Sequence, residues 1–413
     1  MNSTSIERAI RWIAIALVGA AALLGINSLG SLSPRWLALG LVLHLLPAAM
    51  QVPRALRAPG AWLAVLLITQ ALLSFLLSSS DTHLLEPNLR RVTRLAEGTV
   101  LGISGEQILT TDGMGFRVTR PISYDAKPPE SLRILAIGGS TTEQSLLDDR
   151  RTWTHLLQEE LQAHFADRVV EVINAGSSGT RAEHHLVTLR ATSALRADLV
   201  LILMGINDWN KHIREHYGSK VYGPLGDTLW KLRLENTILG RAIRRGSDAA
   251  QRREGGPEPD AMAMTGVEAS LSRSDQRTLE VGSVAADYAA VVEEIIDECR
   301  RQRTNCVFLT QPTAYRGAAS PALRSRFWMT PPFEEYTLDL ESLAAIADTY
   351  NRYLLQVAAA RGMAACDTAT KMESMPDGFY DDCHFNEAGA RGMAAAVAQC
   401  LLERGPVARH VDR

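Results

Sequence analysis

The chain has little cysteine, little net charge and, over its first eighty residues, almost no acid. Its 413 residues hold five cysteines, Cys299, Cys306, Cys366, Cys383 and Cys400, and no two stand at C-x-x-C spacing. That excludes the common zinc and dithiol motifs. A net charge of −3 gives no general reason to expect a nucleic-acid partner. The long glycine-rich phosphate loop ending in Lys-Ser/Thr is missing, which argues against a nucleotide ligand. There are no internal repeats. The length suffices to bury a full α/β core.

Residues 1–80 contain one acid (Glu7), five arginines and no lysine. Their apolar residues lie in three uncharged blocks, Trp12 to Pro34, Trp36 to Pro53 and Ala58 to Ser80, of 23, 18 and 23 residues. As helix, the outer two are long enough to cross a hydrocarbon core of about 30 Å. The middle one, with His44 and Pro47, is the weakest candidate, and a functional and a packing role for His44 are evenly balanced. A cleaved signal peptide would explain the first block but not the two behind it. Arg8 and Arg11 precede the first block, and Arg54 with Arg57 separates the second from the third. Under the positive-inside rule, three crossings keep both pairs in the cytoplasm and export everything after Ser80. Two crossings would leave the large domain inside. The expectation is a three-helix membrane anchor over 1–80, a juxtamembrane linker with short strands over 81–130, a catalytic domain over 131–404 and a tail over 405–413.

The catalytic region reads as short, continuous apolar strands alternating with helices. Strand patterns fall at Leu132 to Ile137, Val169 to Asn174, Leu199 to Met204, Cys306 to Thr310 and, more weakly, Met363 to Cys366, with an amphipathic helix around Trp153 to Phe165. This is the pattern of a parallel sheet covered on both faces. Such sheets place ligands beyond the carboxyl ends of their strands. An insertion at about 212–284 is rich in Gly, Ser, Pro, Asp and Arg and reads as a flexible loop or lid edge. Its arginine-rich run, Arg241 to Arg253, reads as a solvated face or a contact to anionic lipid. For the cysteines, Cys299 with Cys306 and Cys366 with Cys383 are the disulfides to test first. Burial as small apolar residues explains them equally well.

A serine hydroxyl needs a base held against it, and the oxyanion it generates needs fixed donors. Ser140 follows the first strand in Ile137-Gly138-Gly139-Ser140-Thr141-Thr142. Asp381 and His384, three residues apart in Asp381-Asp382-Cys383-His384, can pair in one turn and leave a ring nitrogen for Ser140. Gly179, in Asn174-Ala175-Gly176-Ser177-Ser178-Gly179, can offer a backbone N–H. Asn207, in Gly205-Ile206-Asn207-Asp208, can offer a side-chain amide. Taken alone, the Gly-Gly-Ser block is as well explained by a phosphate-binding or plain turn, the Asp-x-x-His block by a surface pair or helix cap, and the Gly179 and Asn207 blocks by a turn or a helix cap.

Taken in order, these four blocks resemble those of the SGNH (GDSL-like) hydrolase superfamily, and the resemblance covers about residues 131–404. It implies a three-layer α/β/α, flavodoxin-like domain. It also implies Ser140 as nucleophile, His384 as general base and acid, Asp381 as its orienting carboxylate, and an oxyanion hole of the Ser140 and Gly179 N–H groups with the Asn207 amide. The family needs no metal or organic cofactor. Gly139 stands where many relatives have Asp, although exported relatives share the Gly-Gly-Ser-Thr form. The segment Thr111-Asp112-Gly113-Met114-Gly115-Phe116-Arg117 resembles an element that precedes the catalytic domain in some relatives, and no mechanism attaches to it. Glu183, His184 and His185 are adjacent and so point apart on a helix, which is no metal face. Trp209 is either a pocket wall or a core residue.

The expected function is hydrolysis of carboxylic esters outside the cytoplasm, on short acyl groups such as acetyl carried by a glycan or a lipid-linked glycan. One alternative is O-acyl transfer to an envelope polysaccharide with the same triad, working with a partner. The other is a non-catalytic subunit of an envelope assembly. The expected partners are the acyl ester and, through the anchor, the lipid bilayer.

Overall fold

The computed structural model describes residues 83–217, 275–316, 319–327 and 336–404. The predicted membrane helices, most of the insertion and the tail lie outside them. Among the described residues no helix is long and apolar enough to cross a membrane.

In chain order the strands are β1 (Arg90–Val100), β2 (Ile103–Thr110), β3 (Ser131–Gly138), β4 (Val169–Gly176), β5 (Leu199–Leu203), β6 (Asp275–Arg277), β7 (Asn305–Leu309), β8 (Tyr336–Leu338) and β9 (Ala364–Cys366). The principal helices are α1 (Ser140–Glu143), α2 (Trp153–His164), α3 (Ala182–Ala191), α4 (Ile206–Tyr217), α5 (Ala286–Gln302), α6 (Leu340–Ala360) and α7 (Glu387–Arg404). Five strands form one parallel sheet in the order β4-β3-β5-β7-β9. Every residue of β3 and β5 is buried, as strands covered on both faces require. The chain leaves β3 in one direction to form β4 and then crosses back to β5. Right-handed crossovers therefore put α2 and α3 on opposite faces of the sheet. Helix α7 packs beside α2, and α5 beside α3. The result is a three-layer α/β/α arrangement with flavodoxin-like strand order, whose switch point is the carboxyl end of β3.

The segment read from sequence as a linker packs into this core. Strands β1 and β2 pair as an antiparallel hairpin, and Val100, Ile103, Leu109 and Phe116 are each at most 2% exposed. Arg117 then pairs by its backbone with Asn174, covering the free edge of β4. At either end of the 212–284 stretch, the first residues continue α4 to Tyr217, and β6 pairs with β8.

The disulfides are Cys299–Cys306 and Cys366–Cys400, and Cys383 is a buried free thiol. The expected Cys366–Cys383 pair is thus corrected. Cys366 ends β9 directly beneath α7, which carries Cys400 with a Cα–Cα separation of 5.9 Å. Cys383 is held instead in the His384 turn, its Sγ 3.6 Å from His384 Nδ1. Trp209 is fully buried and meets the Tyr350 ring edge-on at 5.9 Å, so it belongs to the core.

Candidate active site

The four sequence blocks converge at the switch point. Ser140 opens α1 immediately after β3, and its Oγ lies 2.8 Å from His384 Nε2. On the far side of the ring, Nδ1 lies 2.8 Å from Asp381 Oδ2 and 3.0 Å from Oδ1. Asp381 Oδ1 also accepts the backbone N–H groups of Cys383 and His384, at 3.0 and 2.9 Å. The carboxylate thus folds its own turn while it orients the imidazole. Tyr380 stacks on the ring at 5.5 Å, nearly parallel. Asp381, and not its neighbour Asp382, makes the contact with His384 Nδ1, as the Asp-x-x-His spacing predicts.

Burial disfavours a charged imidazole here. The charge and hydrogen bond of Asp381, joined by the more distant Asp382 and Glu143, outweigh that penalty and leave the His384 pKa above its ordinary value. The Cys383 thiol is driven well up by burial and by the same two aspartates, which keeps it protonated and inert. Asp381, Cys383 and His384 present ligand-type atoms within 4.8 Å of one another. Both ring nitrogens of that group are already engaged, by Asp381 and Ser140.

The donor elements lie alongside. Gly179 has φ +74°, a backbone that favours glycine, and its N–H donates to no described residue. Asn207 gives one amide hydrogen to Thr180 O at 2.9 Å, which leaves the second for a ligand. A Cβ built at Gly139 would sit 3.0 Å from that amide nitrogen. The glycine where many relatives have Asp therefore lets Asn207 lie close over the residue preceding the nucleophile.

Three residues of the site went unseen in the sequence. Glu143 is buried, and its carboxylate accepts the Ser178 N–H and hydroxyl at 2.5 and 2.6 Å, tying the serine turn to the Gly179 loop. Gln144 is left-handed, at φ 54°. Its Oε1 accepts the Trp153 N–H at 2.6 Å, while its Nε2 has no partner among the described residues. Gln311 accepts the Thr141 hydroxyl at 3.0 Å. A Glu or Gln beside a strand end carries no spacing signal, so only the contacts identify these residues. Ser140 and His384 line a tight depression together with Gln144, Leu146, Leu147, Tyr380 and Phe385.

A serine, histidine and aspartate in hydrogen-bonded series, with amide donors flanking the serine at the switch point of a parallel sheet, define a serine acyl-transfer enzyme. The profile of the GDSL-like Lipase/Acylhydrolase family matches residues 136–391, well over half of the chain, and the protein belongs to that family. It is a serine esterase of the SGNH type. No curated protein matches the chain. Among solved structures it is similar to the α/β hydrolase LAE5 from the Lake Arreo metagenome, at 14% identity and TM-score 0.38, covering 68% of this chain and 99% of that one. It is also similar to Axe2, an acetylxylan esterase from Geobacillus stearothermophilus, at 17% identity and TM-score 0.36 over 66% and 94% of the two chains. A G-D-S-L lipolytic family member from Veillonella parvula shows 11% identity and TM-score 0.36 over 65% and 98%.

Proposed function

We propose that this protein is a membrane-anchored serine hydrolase that removes short acyl groups, such as acetyl, from an extracytoplasmic glycan or lipid-linked substrate. The observation that carries the reading is the continuous series Ser140 Oγ, His384 Nε2, His384 Nδ1, Asp381, with both contacts at 2.8 Å.

In this mechanism neutral His384 takes the Ser140 proton on Nε2 as Oγ attacks the ester carbonyl. Asp381 holds the resulting imidazolium. The oxyanion is met by the N–H groups of Ser140 and Gly179 and the free hydrogen of the Asn207 amide. His384 then returns the proton to the departing alkoxide, leaving an acyl ester on Ser140. Water, deprotonated by the same nitrogen, attacks that ester, and the carboxylic acid and Ser140 are released. The two disulfides fit an oxidising compartment. The uncharged 23-residue blocks ahead of Ser80 fit an anchor.

The test is hydrolysis of an aryl acetate by the full chain, together with covalent labelling by a fluorophosphonate. Both should vanish in Ser140→Ala. Undiminished turnover in that variant would refute the assignment. Labelling without hydrolysis would point to a hydroxyl acceptor in place of water. A reporter fused after Ser80 should be active only outside the cytoplasm, and cytoplasmic activity would sink the three-span anchor.

A further inference from the structure

We propose that Arg117 is a positioning residue for the nucleophile: its guanidinium fastens the backbone that follows Ser140, and so holds the serine hydroxyl against His384. The inference rests on Ser140 being the nucleophile.

Helix α1 is only four residues long. A helix end leaves its last carbonyls without intrahelical partners, and buried carbonyls must find others. Here Arg117 supplies them. One terminal nitrogen donates to Glu143 O and to Gln144 O, the latter at 2.9 Å. The other donates to Leu147 O at 2.8 Å and faces Asp149 at 2.7 Å, while Nε donates to Asp149 at 2.9 Å. Four of the five guanidinium N–H groups thereby donate hydrogen bonds, and the nitrogen that carries the fifth also faces Asp149 as an ion pair. The residue is 4% exposed, so the cation is desolvated and needs the Asp149 counter-charge. Asp149 is itself held by the Thr110 N–H at 2.9 Å.

The grip falls where the backbone is least content. Gln144 is in the left-handed region, which costs a non-glycine residue energy and persists only when surroundings impose it. Its N–H returns to Ser140 O at 2.8 Å, and its carbonyl is one that Arg117 holds. The strained turn is thus bonded directly to the nucleophile's own peptide. Two residues earlier, Thr142 O accepts from the Asn174 side chain at 2.7 Å, and the Asn174 backbone is paired with that of Arg117.

The Thr111–Arg117 segment delivers this side chain. Asp112 Oδ1 accepts the Met114 and Phe116 N–H groups at 2.8 and 3.0 Å, closing a turn. Gly115, at φ +88°, passes so near Leu85 that a Cβ would lie 2.3 Å from its carbonyl oxygen. Phe116 is buried in the core, and Arg117 follows into the space beneath α1. Lysine, with one nitrogen, cannot span three carbonyls and a carboxylate.

The experiment measures the second-order rate of fluorophosphonate labelling of the full chain for wild type, Arg117→Lys and Asp149→Asn. Each rate is taken below the melting temperature and normalised to the folded fraction by near-ultraviolet circular dichroism. Labelling should fall at least about tenfold in Arg117→Lys and severalfold in Asp149→Asn, in keeping with the cost of sub-ångström misplacement. Aryl acetate turnover should fall in parallel with little change in KM, and guanidinium ion added to Arg117→Ala should restore part of the rate. A purely structural role would lower the melting temperature and leave the rate per folded molecule unchanged, which would overturn the inference. If Arg117→Lys does not fold, an unchanged rate in folded Asp149→Asn overturns it as well. A wild type that fails to label would instead overturn the Ser140 reading.

Discussion

The same five strands end in two very different polar environments. At their amino ends Arg133, with no exposed surface, donates to Glu171 at 2.7 Å and to the carbonyls of Leu195 and Ser123 at 2.9 and 2.8 Å. At their carboxyl ends lie a histidine with a raised pKa, a glycine N–H and a glutamine amide without described partners, and a left-handed residue. Both ends are buried. One spends its polar groups on one another, whereas the other keeps donors unspent and backbone under strain, as a site that stabilises charge on an incoming ligand must. Substitutions at the two ends should therefore separate turnover from stability.

The largest expected effect after loss of Ser140 lies at Asp381. Replacing it with Asn removes the charge that outweighs burial at His384 and lets the ring adopt the wrong tautomer. Turnover should fall by about 10³–10⁴. The sign of the pH effect follows from the same balance. His384 must be neutral to act as base, and in the wild type its pKa stands above the ordinary value. The acid limb of kcat/KM should accordingly lie above pH 6.5, the model-compound value, and move to lower pH in Asp381→Asn. A limb that did not move would show that another group controls it. Next in size, Asn207→Ala should cost about 10²–10³ in kcat if the amide meets the oxyanion, and a severalfold loss would remove it from the hole.

At the opposite end the expectation inverts. Glu171→Ala strands the buried Arg133 cation and should cost about 3–5 kcal/mol of unfolding free energy. The rate of Ser140 labelling per folded molecule should stay unchanged. A matching fall in reactivity would mean that the two ends are coupled through β3 and that the contrast between them is false.

This contrast also marks what the sequence made legible. The buried strands announced themselves as unbroken apolar runs. Three of the four catalytic blocks stood out because each follows a strand, and the fourth lies in the loop before the last helix, so the sequence alone singles out Ser140, Gly179, Asn207, Asp381 and His384. What stayed hidden is the scaffolding between blocks. Glu143 reaches Ser178 across two loops, Arg117 reaches carbonyls far along the chain, and Cys366 finds Cys400 because α7 folds back over β9. Such contacts join a side chain to a backbone atom or to a distant element, and they leave no period or spacing to read. The hairpin before residue 131 looked like a linker for a related reason. Only three of its apolar residues, Val100, Ile103 and Leu109, are fully buried, too few to reveal a core-facing strand until the core is seen.

The smallest expected effect concerns Asp208, next to the oxyanion amide but outside the reaction. It is 8% exposed, and its two oxygens accept the Ala182 N–H at the start of α3, at 3.1 and 3.3 Å. Burial pushes its pKa up to about 7, with the Ala182 bond and Arg181 opposing and Glu183 and Asp287 adding to the rise. In the unfolded chain the carboxyl ionises near 3.8. The folded state therefore binds the extra proton, and this contribution to stability is complete below pH 3.8 and lost as pH rises through about 7. Asp208→Asn keeps an acceptor for Ala182 and cannot ionise. Its melting temperature relative to wild type should climb between pH 4 and 8, reaching a gain of about 1–2 kcal/mol once relaxation around the wild-type carboxylate is allowed for. Turnover should change less than twofold, because Asp208 steadies the loop carrying Gly179 without touching the acyl group. Parallel melting curves at every pH would show that the Asp208 carboxyl is ionised throughout, and a large loss of turnover would move it into the site itself.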